Sequence, residues 1–120
     1  MPIADINGNK INYIDTGGNK PVIIFSHGFF LNLTSSDKQV NVLKDTYRCV
    51  AWDERGFDKS LTNKYFTYWD SANDAISLLN HLNISEAVFA GVSKGGFISL
   101  RAYLIKPQMV KAIVLIGSDS

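Results

Sequence analysis

Glu86-Ala87-Val88-Phe89-Ala90-Gly91-Val92-Ser93-Lys94-Gly95-Gly96-Phe97 is an apolar run that breaks at a glycine, carries a serine and resumes as a second apolar stretch. Glu86 to Ala90 reads as a buried strand. Gly91 to Gly96 reads as a sharp turn. Phe97 to Lys106 reads as a helix that Pro107 stops. Within the turn, Gly91, Ser93 and Gly95 spell G-x-S-x-G. A serine on a strained strand-to-helix turn has its hydroxyl lifted above the sheet, and residues two positions either side must lack a Cβ to avoid the turned backbone. The helix that follows aims its N-terminal N–H groups and positive dipole end at that hydroxyl. The pattern alone arises by chance in about one in 25 chains of this length. Its place between an apolar strand and a helix is what points to a nucleophile.

Working outward, Val22-Ile23-Ile24-Phe25 and Ala112 to Ile116 are further continuous apolar runs, and Arg48 to Trp52 reads as a strand between them. Such runs mark strands buried on both faces. Helices are expected between them, from about Ser36 to Lys44 and after Thr67-Tyr68-Trp69-Asp70, where Asp70 can complete a capping box. The second helix carries Ala72, Ile76, Leu79 and Leu82 on one face. Near the start, Ile3 to Ile6 and Lys10 to Asp15 flank Asn7-Gly8, a tight-hairpin dipeptide. The order strand, helix, strand, helix, strand, helix, strand predicts an α/β fold. Its sheet is mostly parallel, with helices on both faces and an N-terminal antiparallel hairpin at one edge.

In such sheets chemistry gathers at the carboxyl ends of the strands. That singles out the loops after Phe25, Trp52, Ala90 and Ile116, which hold His27-Gly28, Asp53-Glu54-Arg55-Gly56, Ser93 and Asp119. Gly28 allows the loop to turn inward, so the backbone N–H of Phe29 becomes one oxyanion donor and that of Lys94 the other. His27 as a base competes with its use in orienting that loop. His81, late in a helix, reads as a helix-end histidine.

Composition narrows the partners. At 46% hydrophobic and 19% charged, the 120 residues can build one core, so residues 1–120 are read as one unit. Twelve basic and 11 acidic residues occur without a like-charge block, which predicts neither a nucleic-acid nor a membrane partner. No apolar run approaches the length of a membrane span, and the first ten residues lack the features of a signal peptide. One cysteine, Cys49, permits no internal disulfide and fits a reducing, cytoplasmic setting. Two histidines far apart suggest no metal centre, and no cofactor is expected.

His27-Gly28, then Asp53-x-Arg55-Gly56-x-x-x-Ser60, then Gly91-x-Ser93-x-Gly95, in this order, resemble the α/β-hydrolase superfamily. The stretch from Gly8 to Asp15 is similar too. The chain most resembles the esterase, enol-lactonase and cofactor-free haloperoxidase-like members. The resemblance implies that Ser93 is an acylated nucleophile for a small ester or lactone, and that Asp53 and Arg55 brace the loops around the site. Asp58 stands where the family usually has a second glycine, and Lys94 where Met or Gln is common. The family's acid and histidine follow the strand ending at Ile116. No histidine follows Ser93 here, so the chain is expected to be the N-terminal part of one domain, cut after about the sixth strand and nearly inactive alone. Asp119 is one position for the acid.

Two other readings stand beside this one. The first is a non-catalytic remnant that self-associates through the exposed last strand, Ile113 to Ile116. The second is a nucleotide-binding domain, with Gly91 to Gly96 as a phosphate loop and Asp119 as the ribose acid. Against the latter, the third glycine of such a loop falls at Phe97, and the loop comes late in the chain.

Overall fold

The computed structural model describes residues 3–26, 37–53, 67–92 and 94–116, with backbone alone for Asp37, Lys38, Val92, Lys94 and Ile116. Among the described residues six strands form one sheet: β1 (Ile3–Ile6), β2 (Asn9–Asp15), β3 (Val22–Ser26), β4 (Arg48–Trp52), β5 (Ala87–Val92) and β6 (Val110–Ile116). The α-helices among the described residues are α1 (Asp37–Leu43), α2 (Tyr68–His81) and α3 (Lys94–Ile105). The strand order is β1-β2-β4-β3-β5-β6. β4, β3, β5 and β6 run parallel, while β2 is antiparallel to β4 and β1 to β2. The expected fold class is therefore the observed one.

The order of strands dictates the faces. The chain steps from β3 to β4 in one direction and from β5 to β6 in the other. Right-handed crossovers then put the two connecting helices on opposite sides of the sheet. Period-two alternation supplies apolar side chains to both sides. Ile23, Phe25, Cys49, Ala51 and Ala90 pack with Val40 of α1. Ile24, Val50, Trp52 and Phe89 pack with Ala72, Ala75, Leu78 and Leu79 of α2 and with Ile98 and Ala102 of α3. Cys49 lies in the first of these layers, and burial pushes its thiol pKa up, so it is an inert core residue.

Local signals account for the element ends. Asn7 (φ 52°) and Gly8 (φ 83°) both take positive φ, as a type I′ hairpin turn requires. Asn7 Nδ2 then donates to Asp74 Oδ1 at 2.9 Å, which ties the hairpin to α2. Thr67 and Asp70 form the expected capping box: Thr67 N–H donates to Asp70 Oδ2 at 2.8 Å, and Asp70 N–H to Thr67 Oγ1 at 3.2 Å. The buried face of α2 is wider than the four-residue stripe, because Ala75 and Leu78 are also fully buried between β-sheet and α3.

The largest departure is at α3, which begins at Lys94 and not at Phe97. Gly95 and Gly96 have poor helix propensity, but close packing on the sheet replaces what propensity lacks. β5 likewise continues through Val92, and β6 starts at Val110 after a 3₁₀ turn, Pro107–Met109. At the start of α2, the Arg101 guanidinium lies over the rings of Tyr68 (5.4 Å) and Trp69 (5.2 Å), and joins α3 to α2.

Between β2 and β4, Arg48 grips Asp15 with both ends of its guanidinium, Nε to Oδ1 at 2.9 Å and Nη2 to Oδ2 at 2.7 Å. Burial alone would raise the Asp15 pKa. The Arg48 hydrogen bonds, the Gly17 N–H and the Arg48 charge outweigh it and hold the carboxyl below its ordinary 3.8. Asp15 thus ionises more readily in the folded chain than in the unfolded one. The pair's stabilisation is complete above about pH 4 and fades as pH falls through the lowered folded value. Asp15→Asn is expected to cost about 1–3 kcal/mol at neutral pH. Denaturant titrations of both proteins should show the gap closing on acidification; a gap of constant size from neutral to strongly acidic pH would refute the pairing.

Candidate active site

The crossovers that leave β3 and β5 on opposite faces create a crevice between their carboxyl ends. Ser26, the last residue of β3, is the register partner of Gly91 on β5 and of Trp52 on β4. One residue past the end of β5, α3 starts at Lys94. The strand-to-helix turn is therefore as short as the G-x-S-x-G spacing requires.

Steric contact shows why the small residues stand where they do. A Cβ at Gly91 would overlap the Gly95 carbonyl and come within 2.5 Å of Gly96 N. A Cβ at Gly95 would overlap the backbone carbonyl of Ser26. Gly96 is less confined: its nearest obstacle is Leu115 Cδ2, at 3.0 Å from the added atom. Ser99 Oγ donates to the Gly95 carbonyl at 2.9 Å and holds the first turn of α3 from within. The backbone at this turn is thus packed against two strand ends at once.

Asp53, directly after β4, is buried and fastened to β2. Its N–H donates to the Asn12 carbonyl at 2.9 Å, and its Oδ2 accepts from Asn12 Nδ2 at 3.2 Å. Asn12 is a partner the sequence does not announce, since it interrupts the apolar alternation of an otherwise ordinary strand. Trp52 Nε1 donates to Ser26 Oγ at 3.0 Å, a second buried polar contact with no sequence signal.

Ser93 and Phe29 lie outside the described residues, as do His27, Arg55, Asp58, Ser60 and Asp119. Lys94 is the first residue of α3, so its backbone belongs to the helix N-terminus. His81 is in the last turn of α2 and exposed, at the opposite end of the sheet. Among the described residues no group of three His, Cys, Asp or Glu side chains could hold a metal ion. No described helix is long and apolar enough to cross a membrane. An open groove of about 590 Å³ lies at the amino ends of the strands, lined in part by Lys20, Tyr47, Arg48 and Lys111. Two of its charges are paired, Arg48 with Asp15 and Lys111 with Glu86 at 4.0 Å, and it is remote from the turn.

Comparison with known proteins agrees with this geometry. Residues 21–120 match the alpha/beta hydrolase fold family, and the chain belongs to it. It is 36% identical over 102 residues to the uncharacterized hydrolase YugF of Bacillus subtilis, covering 83% of this chain and 37% of that one. It is 35% identical over 88 residues to 3-oxoadipate enol-lactonase 2 of Acinetobacter baylyi, covering 72% and 33%. The crystal structure of the enol-lactonase from Burkholderia xenovorans LB400 superposes with a TM-score of 0.89 at 28% identity, over 93% of this chain and 45% of that one. The chain therefore spans less than half the length of these relatives.

Substitution at the turn should rank by what the new Cβ meets. Gly91→Ala and Gly95→Ala are expected to destabilise by about 3 kcal/mol or more, because backbone must move. Gly96→Ala should cost clearly less, because a leucine tip can rotate away. Equal unfolding midpoints for all three would contradict the close packing.

Proposed function

We propose that this chain carries the nucleophile half of a serine hydrolase for small esters or lactones. The observation that carries the reading is the backbone crowding of Gly91 against Gly95 and of Gly95 against Ser26. That crowding is the steric signature expected of a turn that presents one residue, Ser93, above the sheet. Membership of the family supports hydrolase chemistry. The branch is supported by relatives that include an enol-lactonase and a putative esterase/lipase of Haemophilus influenzae.

In this reading Ser93 Oγ attacks the substrate carbonyl carbon, and its proton passes to a general base. The backbone N–H groups of Phe29 and Lys94 hold the oxyanion while the tetrahedral intermediate forms. The alcohol leaves, and water then cleaves the acyl-serine. The dipole of α3 adds to the field at the oxyanion. Base and acid come from beyond residue 120, in the part of the domain that the relatives have and this sequence does not include. No metal or cofactor takes part. The substrate is a small molecule, not a nucleic acid or a membrane.

A second reading has one observation in its favour. Among the described residues β6 pairs only with β5, and Val114 (45% exposed) and Leu115 (56%) on it, like Phe97 (51%) and Leu104 (67%) on α3, are exposed. An unpaired apolar edge beside an apolar helix face is a pairing surface. A non-catalytic remnant would use it to self-associate.

Fluorophosphonate labelling of the native polypeptide separates the two. Labelling that maps to Ser93 and vanishes in Ser93→Ala is the expected result, and an unlabelled but folded wild type would overturn the hydrolase reading. Residues 1–120 alone are expected to turn over p-nitrophenyl acetate at least about 10³-fold more slowly than an intact enzyme, and to scatter light as an oligomer. A monodisperse monomer would remove the self-association.

A further inference from the structure

The two oxyanion donors of the proposed mechanism come from different elements, one from the segment after β3 and the other from the start of α3. Their separation depends on how the end of β3 seats on the first turn of α3. One residue occupies that seat. Ser26 is 2% exposed and ends β3. It pairs in register with Gly91 on one side and Trp52 on the other. The Gly95 backbone rests directly on its carbonyl, and a Cβ at Gly95 would stand 3.2 Å from the Ser26 Cβ. The next residues in the chain are His27, Gly28 and Phe29.

A hydroxyl at a fully buried strand end is unfavourable unless it is hydrogen-bonded. The partner here is the indole N–H of Trp52, itself 1% exposed, at 3.0 Å. A buried bond of this kind is directional, where an aliphatic contact would leave the strand end free to slide. Trp52 is anchored in turn: it pairs with Tyr13 on β2, and its neighbour Asp53 is bound to Asn12. A rigid chain thus runs from β2 through Trp52 to Ser26, and from there to the turn at Gly95.

We propose that Trp52 and Ser26 are positioning residues: the Trp52 Nε1–H···Oγ Ser26 bond sets the spacing of the two oxyanion donors by fixing the end of β3 against α3. The assignment rests on the serine-hydrolase reading. It assigns neither residue a contact with substrate.

The test uses the native full-length polypeptide with Trp52→Phe, Ser26→Ala and the double variant. Two readouts are taken: the rate constant for fluorophosphonate labelling, and kcat and KM for p-nitrophenyl acetate. Misplacing one donor should lower the labelling rate and kcat by about 10- to 100-fold, with KM within about twofold of wild type. The double variant should be no slower than the slower single one, because both remove the same bond. Ser26→Cys, which keeps a weak acceptor of similar size, should fall between Ser26→Ala and wild type. Variants that lose thermal stability yet label at the wild-type rate would reduce the pair to a structural role and overturn the proposal. So would falls that multiply in the double variant, or a change confined to KM. A folded wild type that does not label overturns the hydrolase reading and this inference with it. A labelled wild type with unaffected variants overturns this inference alone.

Discussion

The backbone of Gly95 lies against the carbonyl of Ser26 with no room for a side chain, and Gly91 meets Gly95 and Gly96 in the same way. Three elements depend on that contact. β5 can turn into α3 within one residue only because nothing projects from either glycine. α3 can lie low on the sheet, with Ile98 and Ala102 fully buried, only because its first turn has no bulk. The end of β3 is pinned beneath the helix start. Helix propensity opposes a start at Lys94-Gly95-Gly96. The packing overrides it, and a low-propensity helix start is a common cost of bringing a helix terminus close to a reacting centre.

The sheet around this point is held by different forces on its two sides. Towards β6 the contacts are apolar, and among the described residues β6 pairs only with β5, with Val114 and Leu115 exposed. Towards β2 polar contacts are added: Arg48 with Asp15, Asn12 with Asp53, and Asn7 with Asp74. Asn12 with Asp53 braces the carboxyl end of β4, and Arg48 with Asp15 ties its amino end to β2. The described residues thus hold the packed turn between β5 and α3 and the strand ends beneath it.

Much of this was readable without coordinates. Period-two and continuous apolar runs located every strand to within about three residues, because burial on two faces leaves a composition that loops do not share. Asn7-Gly8 and Thr67-x-x-Asp70 marked a turn and a helix start, since both depend only on neighbouring residues. The alternation of strands and helices implied the parallel sheet through the handedness of crossovers. G-x-S-x-G was visible because its steric demand falls on residues two apart in sequence. The start of α3 was misplaced for the opposite reason: its stability comes from the sheet beneath it.

What the amino-acid order determined by itself is therefore local or periodic: the elements, the hairpin, the cap and the glycines that flank Ser93. Tertiary structure alone decided which side chains meet across strands. Ser26 and Trp52 are 26 residues apart and Asn12 and Asp53 are 41 apart. Nothing in either neighbourhood announces the partner. Such pairs arise where register aligns two strand ends and burial requires each polar group to find a partner. The reach of a motif in sequence is a few residues, whereas the contacts that hold its geometry are set by strand order.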